Sequence, residues 1–388
     1  MDRPCQRRQG RDLDRARHGA EVQRHSQDRR FPARAGNLHA ADRRQRRAAG
    51  DRAGDPRALT VAGLIWRLGA LAAGAAALVG AAAPQAWRWD LPGGIAPPAL
   101  PADNPMTAAK VELGRRLFYD ADLSANGTMA CATCHEQKHA FADGNRTHPG
   151  VTDEPGRRNV PGLANAAWLS PLTYADPAAK TLEQQAFTPV FGTHPVEMGM
   201  AGREGEIAAR LGQDDCYRAQ FRRAFPDSGG RIEFAAVAKA LAAFERTLVS
   251  YGSAYDRGVM TAAARAGQQD FSRDCAACHA GARFTDLGFH RLGPADPAGG
   301  DQGAFENTGA EADRGKFRTP SLRNVALTGP WWHDGSAPSL RGAIARHGLA
   351  LPDSEVERLL AFLNALSDAE FAGRKSLALP DRACGRRL

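Results

Sequence analysis

An all-α chain built of two like domains is what the sequence predicts, on three observations. The pentamer C-x-x-C-H occurs twice, at residues 131–135 and 275–279, its two frames 144 positions apart. Apolar residues recur at helical spacing around each frame. No stretch sustains the period-two alternation of a strand.

Charge divides the chain before any element is placed. Residues 1–60 carry 16 Arg, no Lys and 8 acids, which is the whole net charge of +8, while the rest balances 35 basic against 35 acidic side chains. That balance excludes a nucleic-acid role for the folded part. The Arg-rich stretch, residues 1–60, is expected to be disordered or an upstream mis-start. Residues 61–83 read as a secretory signal: one Arg, an apolar run from Leu68 and the ending Ala81-Ala82-Ala83. The run is short for a membrane span, so the expectation is export to the periplasm, cleavage near Ala83 and no stable membrane insertion. In an oxidising compartment Cys216 and Cys384 could pair or stay free.

The two frames carry the chemistry. Thiols three residues apart on one helical turn can each form a thioether to a haem vinyl group, and the adjacent His then reaches the iron. A Cys₄ zinc site would not need His after both pairs, and a dithiol redox site would need none. Cys131, Cys134 and His135 are therefore read as one c-type haem site, and Cys275, Cys278 and His279 as a second. The division follows: residues 84–256 as one cytochrome c-like domain and 257–388 as another.

Helices fit this plan in order. Asn104-Pro105 reads as a cap and first position before Val111, Leu117 and Phe118, with Gly114 completing one face. Ile207, Leu211, Phe221 and Phe225 mark a second helix, and Val237, Leu241, Phe244 and Leu248 a third. Ser354 to Glu357 reads as a capping box before Leu359, Leu360, Leu363 and Leu366. Long Gly-, Pro- and Asp-rich loops at 143–178 and 293–320 are of the kind that wrap cofactors.

The sixth ligand of each iron bears on its function. After His279 there is no Met and no Tyr, which leaves His290, His333 and His347 as local candidates; His347 is favoured because the helix-like stretch Leu340 to His347 could return it to the iron. Around the first frame Met129, His139, His148, Met198 and Met200 all remain open. Gln185, His194 and Glu197 offer polar groups for an iron left accessible to peroxide.

Over about residues 105–370 the chain resembles bacterial dihaem cytochrome c peroxidases and MauG-type enzymes. The likeness rests on both haem frames, Pro155-Gly-Arg-Arg-Asn159, Leu182-Glu-Gln-Gln185, Pro195-Val-Glu-Met198 and the run from Thr319 through Trp331-Trp332-His333-Asp334-Gly335. It implies that H₂O₂ reacts at the His135 haem, with Gln185, Glu197 and Pro189 in its pocket and Glu197 moving the proton between the peroxide oxygens. It implies a calcium held by the Asn159 side chain and the carbonyls of Thr328 and Pro330. The family's second-haem Met or Tyr, fourteen residues after the His of the HDG turn, falls on His347. The inter-haem Trp falls near Tyr174, six residues after Trp168, so either ring is a candidate conduit. The surface Trp of MauG is Arg273 here, with Trp331 and Trp332 as alternative exits.

A further likeness, through Phe187-Thr-Pro-Val-Phe191 and His194 to Met198, is to MauG-like dihaem proteins of methanobactin gene clusters, MbnH among them. It implies oxidation of Trp to kynurenine on a periplasmic partner protein that could then bind copper. The rival expectations are a peroxidase fed by a small cytochrome or copper protein, and a plain dihaem electron carrier.

Overall fold

Thr107 opens the first long helix, α1 (Ala108–Phe118), its hydroxyl accepting from the Lys110 amide at 3.2 Å. The expected Asn104 cap is displaced three residues. Asn104 is instead a buried tether, accepting from Lys110 Nζ at 3.0 Å and donating to Glu183 Oε1 at 2.6 Å. A short polar side chain already satisfied by tertiary partners has none left for the helix end. The computed structural model describes residues 87–292 and 300–387. The Arg-rich stretch and the expected signal segment lie outside them, and the described residues form one compact unit.

Two helix crossings repeat along the chain. α1 crosses α2 (Phe234–Glu245) where a Cβ on Gly114 would stand 1.8 Å from the Ala240 carbonyl oxygen. Phe118 and Phe244 close that crossing at 5.3 Å between ring centres, with Leu113, Leu117 and Val237 fully buried around them. α3 (Ala262–Asp274) meets α4 (Asp353–Ala365) in the same way, a Cβ on Gly267 falling 1.9 Å from the Arg358 carbonyl oxygen, beside Phe271 and Phe362 at 5.0 Å. Because the obstruction is backbone, it cannot swing aside. Gly267→Ala is therefore expected to cost about 1–3 kcal/mol through overpacking, read as a lower midpoint in thermal unfolding followed at the haem band.

The helix expected over 207–225 is two helices, Glu204–Leu211 and Asp215–Ala224, separated by a turn in which Asp214 caps the Cys216 amide at 2.7 Å. The capping box at Ser354 does not form: α4 begins at Asp353 after Pro352, with Asp353 and Glu355 in its first turn, where acids suit the helix dipole. Leu248 lies beyond α2 yet is fully buried. Strands among the described residues are only two-residue antiparallel pairs, Phe289–His290 with Phe317–Arg318 and Arg382–Ala383 with Arg386–Arg387.

The apolar core falls into two main clusters, one centred on the α1/α2 crossing and one on α3/α4. Each has a matching Asn in left-handed conformation opening a short 3₁₀ turn, Asn165 and Asn324. The two meet at Ser250: Asn165 bonds its backbone, and Asn324 Nδ2 donates to its Oγ at 2.9 Å. The end of the chain crosses the expected boundary at 256/257. Phe371 and Leu377 pack into the first cluster, and Cys384 forms a disulfide with Cys216. No helix of the described residues is long and apolar enough to cross a membrane.

Candidate active site

Each C-x-x-C-H frame opens onto its own cavity. The first, about 320 Å³, is lined by Cys131, Cys134 and His135; the second, about 950 Å³, by Cys275, Cys278 and His279. All four thiols are free of disulfides. Burial pushes Cys134 up to about 12 and Cys275 up to about 11, so without a bound group they rest as neutral thiols.

The imidazoles are prepared for iron in the same way in both frames. His135 Nδ1 lies 2.8 Å from the Phe141 carbonyl and His279 Nδ1 lies 3.1 Å from that of Phe284, so Nε2 is in each case the nitrogen left for a metal. Burial lowers both pKa values, keeping the rings in the neutral, ligating form. The donor sets and cavities therefore fit two covalently attached haems.

The two cavities differ opposite the proximal ring. His347 lies just past the Leu340–Ala345 helix, its Nδ1 2.9 Å from the Ala343 carbonyl, and its ring centre is 6.5 Å from that of His279. That separation leaves room for one metal ion between the two rings. His290 and His333 line the same cavity, but His290 bonds the Asp286 carboxylate at 2.7 Å and His333 stacks on Phe317 at 3.7 Å. Cys278, Asp286 and His290 cluster closely enough for a small metal site, but thioether formation would use the Cys278 sulfur.

No imidazole is paired with His135 in this manner among the described residues. That cavity is lined by Gln185, Pro189, Glu197, His148 and the exposed His194, with Met129 and Met198 on its wall; Met200 is buried in the first core cluster, and His139 lies outside the lining. Burial raises the Glu197 carboxyl above the ordinary range, and the nearby His148 imidazole opposes that rise. Glu197 is held by its backbone, its carbonyl accepting from Val151 N at 2.8 Å while Met198 N bonds Pro189 O at 2.9 Å.

A shared wall separates the cavities. Tyr174, Leu169 and Arg318 line both, whereas Trp168 lines neither. Asn159, Thr328 and Pro330 all border the second cavity. The Asn159 amide N–H group is tied to the carbonyls of Asn145 and Arg146, so its Oδ1 is the oxygen not used in those bonds. Arg273 is ion-paired with Asp270, Asp274 and Glu355.

Three side chains escaped the sequence reading. Arg318 is buried and spends its guanidinium on the carbonyls of Leu172, Thr173 and Thr319. Glu245 lines the first cavity at the end of α2, pushed up to about 8 by burial. The buried Asp143 carboxylate holds His148 at 2.7 Å. Only the charged pair Glu245-Arg246 closing an apolar helix gave a signal, and it did not say which way Glu245 faces.

Residues 108–264 match the family model described as di-haem cytochrome c peroxidase. The methylamine utilization protein MauG of Methylophilus methylotrophus is 35% identical over 298 residues, 70% of this chain and 86% of that protein. The chain belongs to the di-haem cytochrome c peroxidase and MauG family. The cytochrome c551 peroxidase of Pseudomonas aeruginosa is 34% identical over 68% of this chain and 80% of its own. Among solved structures, a MauG-like protein associated with microbial copper homeostasis superposes with a TM-score of 0.72 at 37% identity, covering 76% of this chain and all of that one. This family member is thus an oxidoreductase of the peroxidase type, and its family's cofactor is a pair of c-type haems.

Proposed function

We propose that this protein works in the periplasm as a MauG-like enzyme, using H₂O₂ to oxidise a side chain of a partner protein by long-range electron transfer. The observation that carries the reading is the asymmetry of the two cavities. His279 has a second imidazole, His347, 6.5 Å away between ring centres in the same cavity, whereas the cavity at His135 is lined by Glu197, Gln185 and Pro189. The bound haems supply a site for peroxide reduction and a store for two oxidising equivalents.

The chain's own groups do the rest. Cys131, Cys134 and His135 hold the first haem, and Cys275, Cys278, His279 and His347 hold and cap the second. Glu197 takes the proton from one peroxide oxygen and returns it to the other, so that water leaves rather than hydroxide. Gln185 orients the peroxide, and Pro189 narrows the pocket. Tyr174, in the wall common to both cavities, is the conduit between them rather than Trp168. Calcium on Asn159, Thr328 and Pro330 would stiffen the border of the second cavity as a hard cation on oxygen ligands. The sequence resemblance implies Trp as the oxidised side chain, converted to kynurenine on an exported partner.

The test is one equivalent of H₂O₂ added to the diferric protein without a donor. A long-lived two-electron-oxidised state is expected. Fast turnover with reduced cytochrome c instead would make it a detoxifying peroxidase, and no reaction a carrier.

A further inference from the structure

Trp168 touches neither cavity, yet it is not isolated. Its ring lies 6.2 Å from Tyr251 on the inner side and 6.3 Å from Trp89 on the outer side, and Trp89 lies 6.1 Å from Trp87. These centre-to-centre values put four easily oxidised rings in edge contact. The inner end reaches the haem region twice. Leu169, next in sequence to Trp168, lines both cavities, and Arg323, whose guanidinium covers the Tyr251 ring at 4.3 Å, lines the second. The outer end runs into a segment whose Arg88 and Asp90 are exposed.

We infer that Trp168, Trp89 and Trp87 form an electron route from the inter-haem region to the surface, with Tyr251 as a bridge into it. This rests on the peroxide reading proposed above. Electrostatics assigns the parts. A cation over a ring opposes removal of an electron from it, and Arg323, which also pairs with Asp256 at 2.9 Å, sits over Tyr251. The Tyr251 hydroxyl and the Trp87 indole N–H are both buried without a hydrogen-bond partner among the described residues; a tyrosine must give up its phenolic proton when oxidised, whereas a tryptophan can lose an electron and keep its N–H. Tyr251 therefore couples the haem region to Trp168 without holding charge. No cation covers the three tryptophans among the described residues, whereas Arg346 lies over the Trp332 ring at 5.5 Å and disfavours that exit. Trp168 donates its indole N–H to the Ala96 carbonyl at 2.9 Å, a partner that stabilises the oxidised ring without removing its proton.

The electrons balance. Each H₂O₂ takes up two electrons and two protons to give two waters. Trp168 gives one electron inward and is restored by Trp89, which is restored by Trp87. Without a reductant at the surface, the outer ring loses two electrons and two protons and gains the oxygen of water. The net change is Trp plus H₂O₂ to hydroxytryptophan plus water.

The test treats the holoprotein with a few equivalents of H₂O₂ and no donor, then measures peroxide consumed and maps modified peptides by mass spectrometry. One-oxygen adducts are expected at Trp87 and Trp89. In Trp168→Phe, which keeps an aromatic ring but raises its potential, they should fall several-fold while peroxide is still consumed. In Trp89→Phe, a position outside both cavities, adducts should move inward to Trp168. Haem content and thermal midpoint of each variant show that the fold is retained. Normal peroxide consumption with Trp87 and Trp89 unmodified, or modified equally in Trp168→Phe, would overturn the route and leave the peroxide reading intact. Wild type that consumes no peroxide would remove both.

Discussion

Glu197→Gln is expected to slow peroxide consumption by about 10²–10⁴-fold while both haems remain attached. Gln matches Glu in size, and the backbone of residue 197 is pinned by Val151 and Pro189 regardless of the side chain, so the cavity should keep its shape. What disappears is a group able to take a proton and give it back. The pH dependence supplies an independent check. Burial raises the Glu197 carboxyl above its ordinary value, and the base form is the one that accepts the first proton. Reactivity should therefore be present above that raised pKa and fade as pH drops through it, with the acid limb lying above the usual carboxylate range. Stopped-flow mixing at several pH values reads both effects. A wild-type acid limb that persists unchanged in Glu197→Gln, or an undiminished rate, would take Glu197 out of the proton path.

The haem frames were legible because covalent attachment needs two thiols and a His at one spacing, whatever fold surrounds them. Gly114 could be placed on the packed face of α1, since a missing side chain among apolar ones marks a close approach; Gly267 does the same for α3 but sits among polar residues that hid it. The start of α1 departs from the sequence expectation because tertiary demand outranks local preference there: Asn104 goes to Lys110 and Glu183. The Cys216–Cys384 link spans 168 residues, and no local pattern reports a distance of that kind. Trp168 and Tyr174 are six residues apart on one irregular loop, so sequence offered no period from which to tell the shared wall from the outer ladder. Arg318 was hidden for a related reason: its partners are backbone carbonyls, which carry no sequence signal.

His347→Met is expected to raise the reduction potential of the second haem by on the order of 0.2 V, within the roughly 0.8 V span that axial ligands cover. A thioether is a weaker donor to oxidised iron than an imidazole, so the exchange favours the reduced state. At 59 mV per tenfold change for one electron, a shift of that size is about three powers of ten in the equilibrium. Its consequence is functional as well as spectroscopic. A second centre that surrenders its electron less readily cannot share the oxidising equivalents formed at the first, so the peroxide-oxidised protein should decay faster without a donor. The same centre becomes a better acceptor for a reduced cytochrome, and donor-dependent turnover should rise. His347→Gly guards against failure of the new Met to bind: its second haem should turn high-spin and return to the original spectrum and potential on adding imidazole. Spectroelectrochemical titration resolves the two haems. An unchanged second potential in both variants would mean that His347, despite standing 6.5 Å from His279, is a neighbour of that iron and no ligand to it.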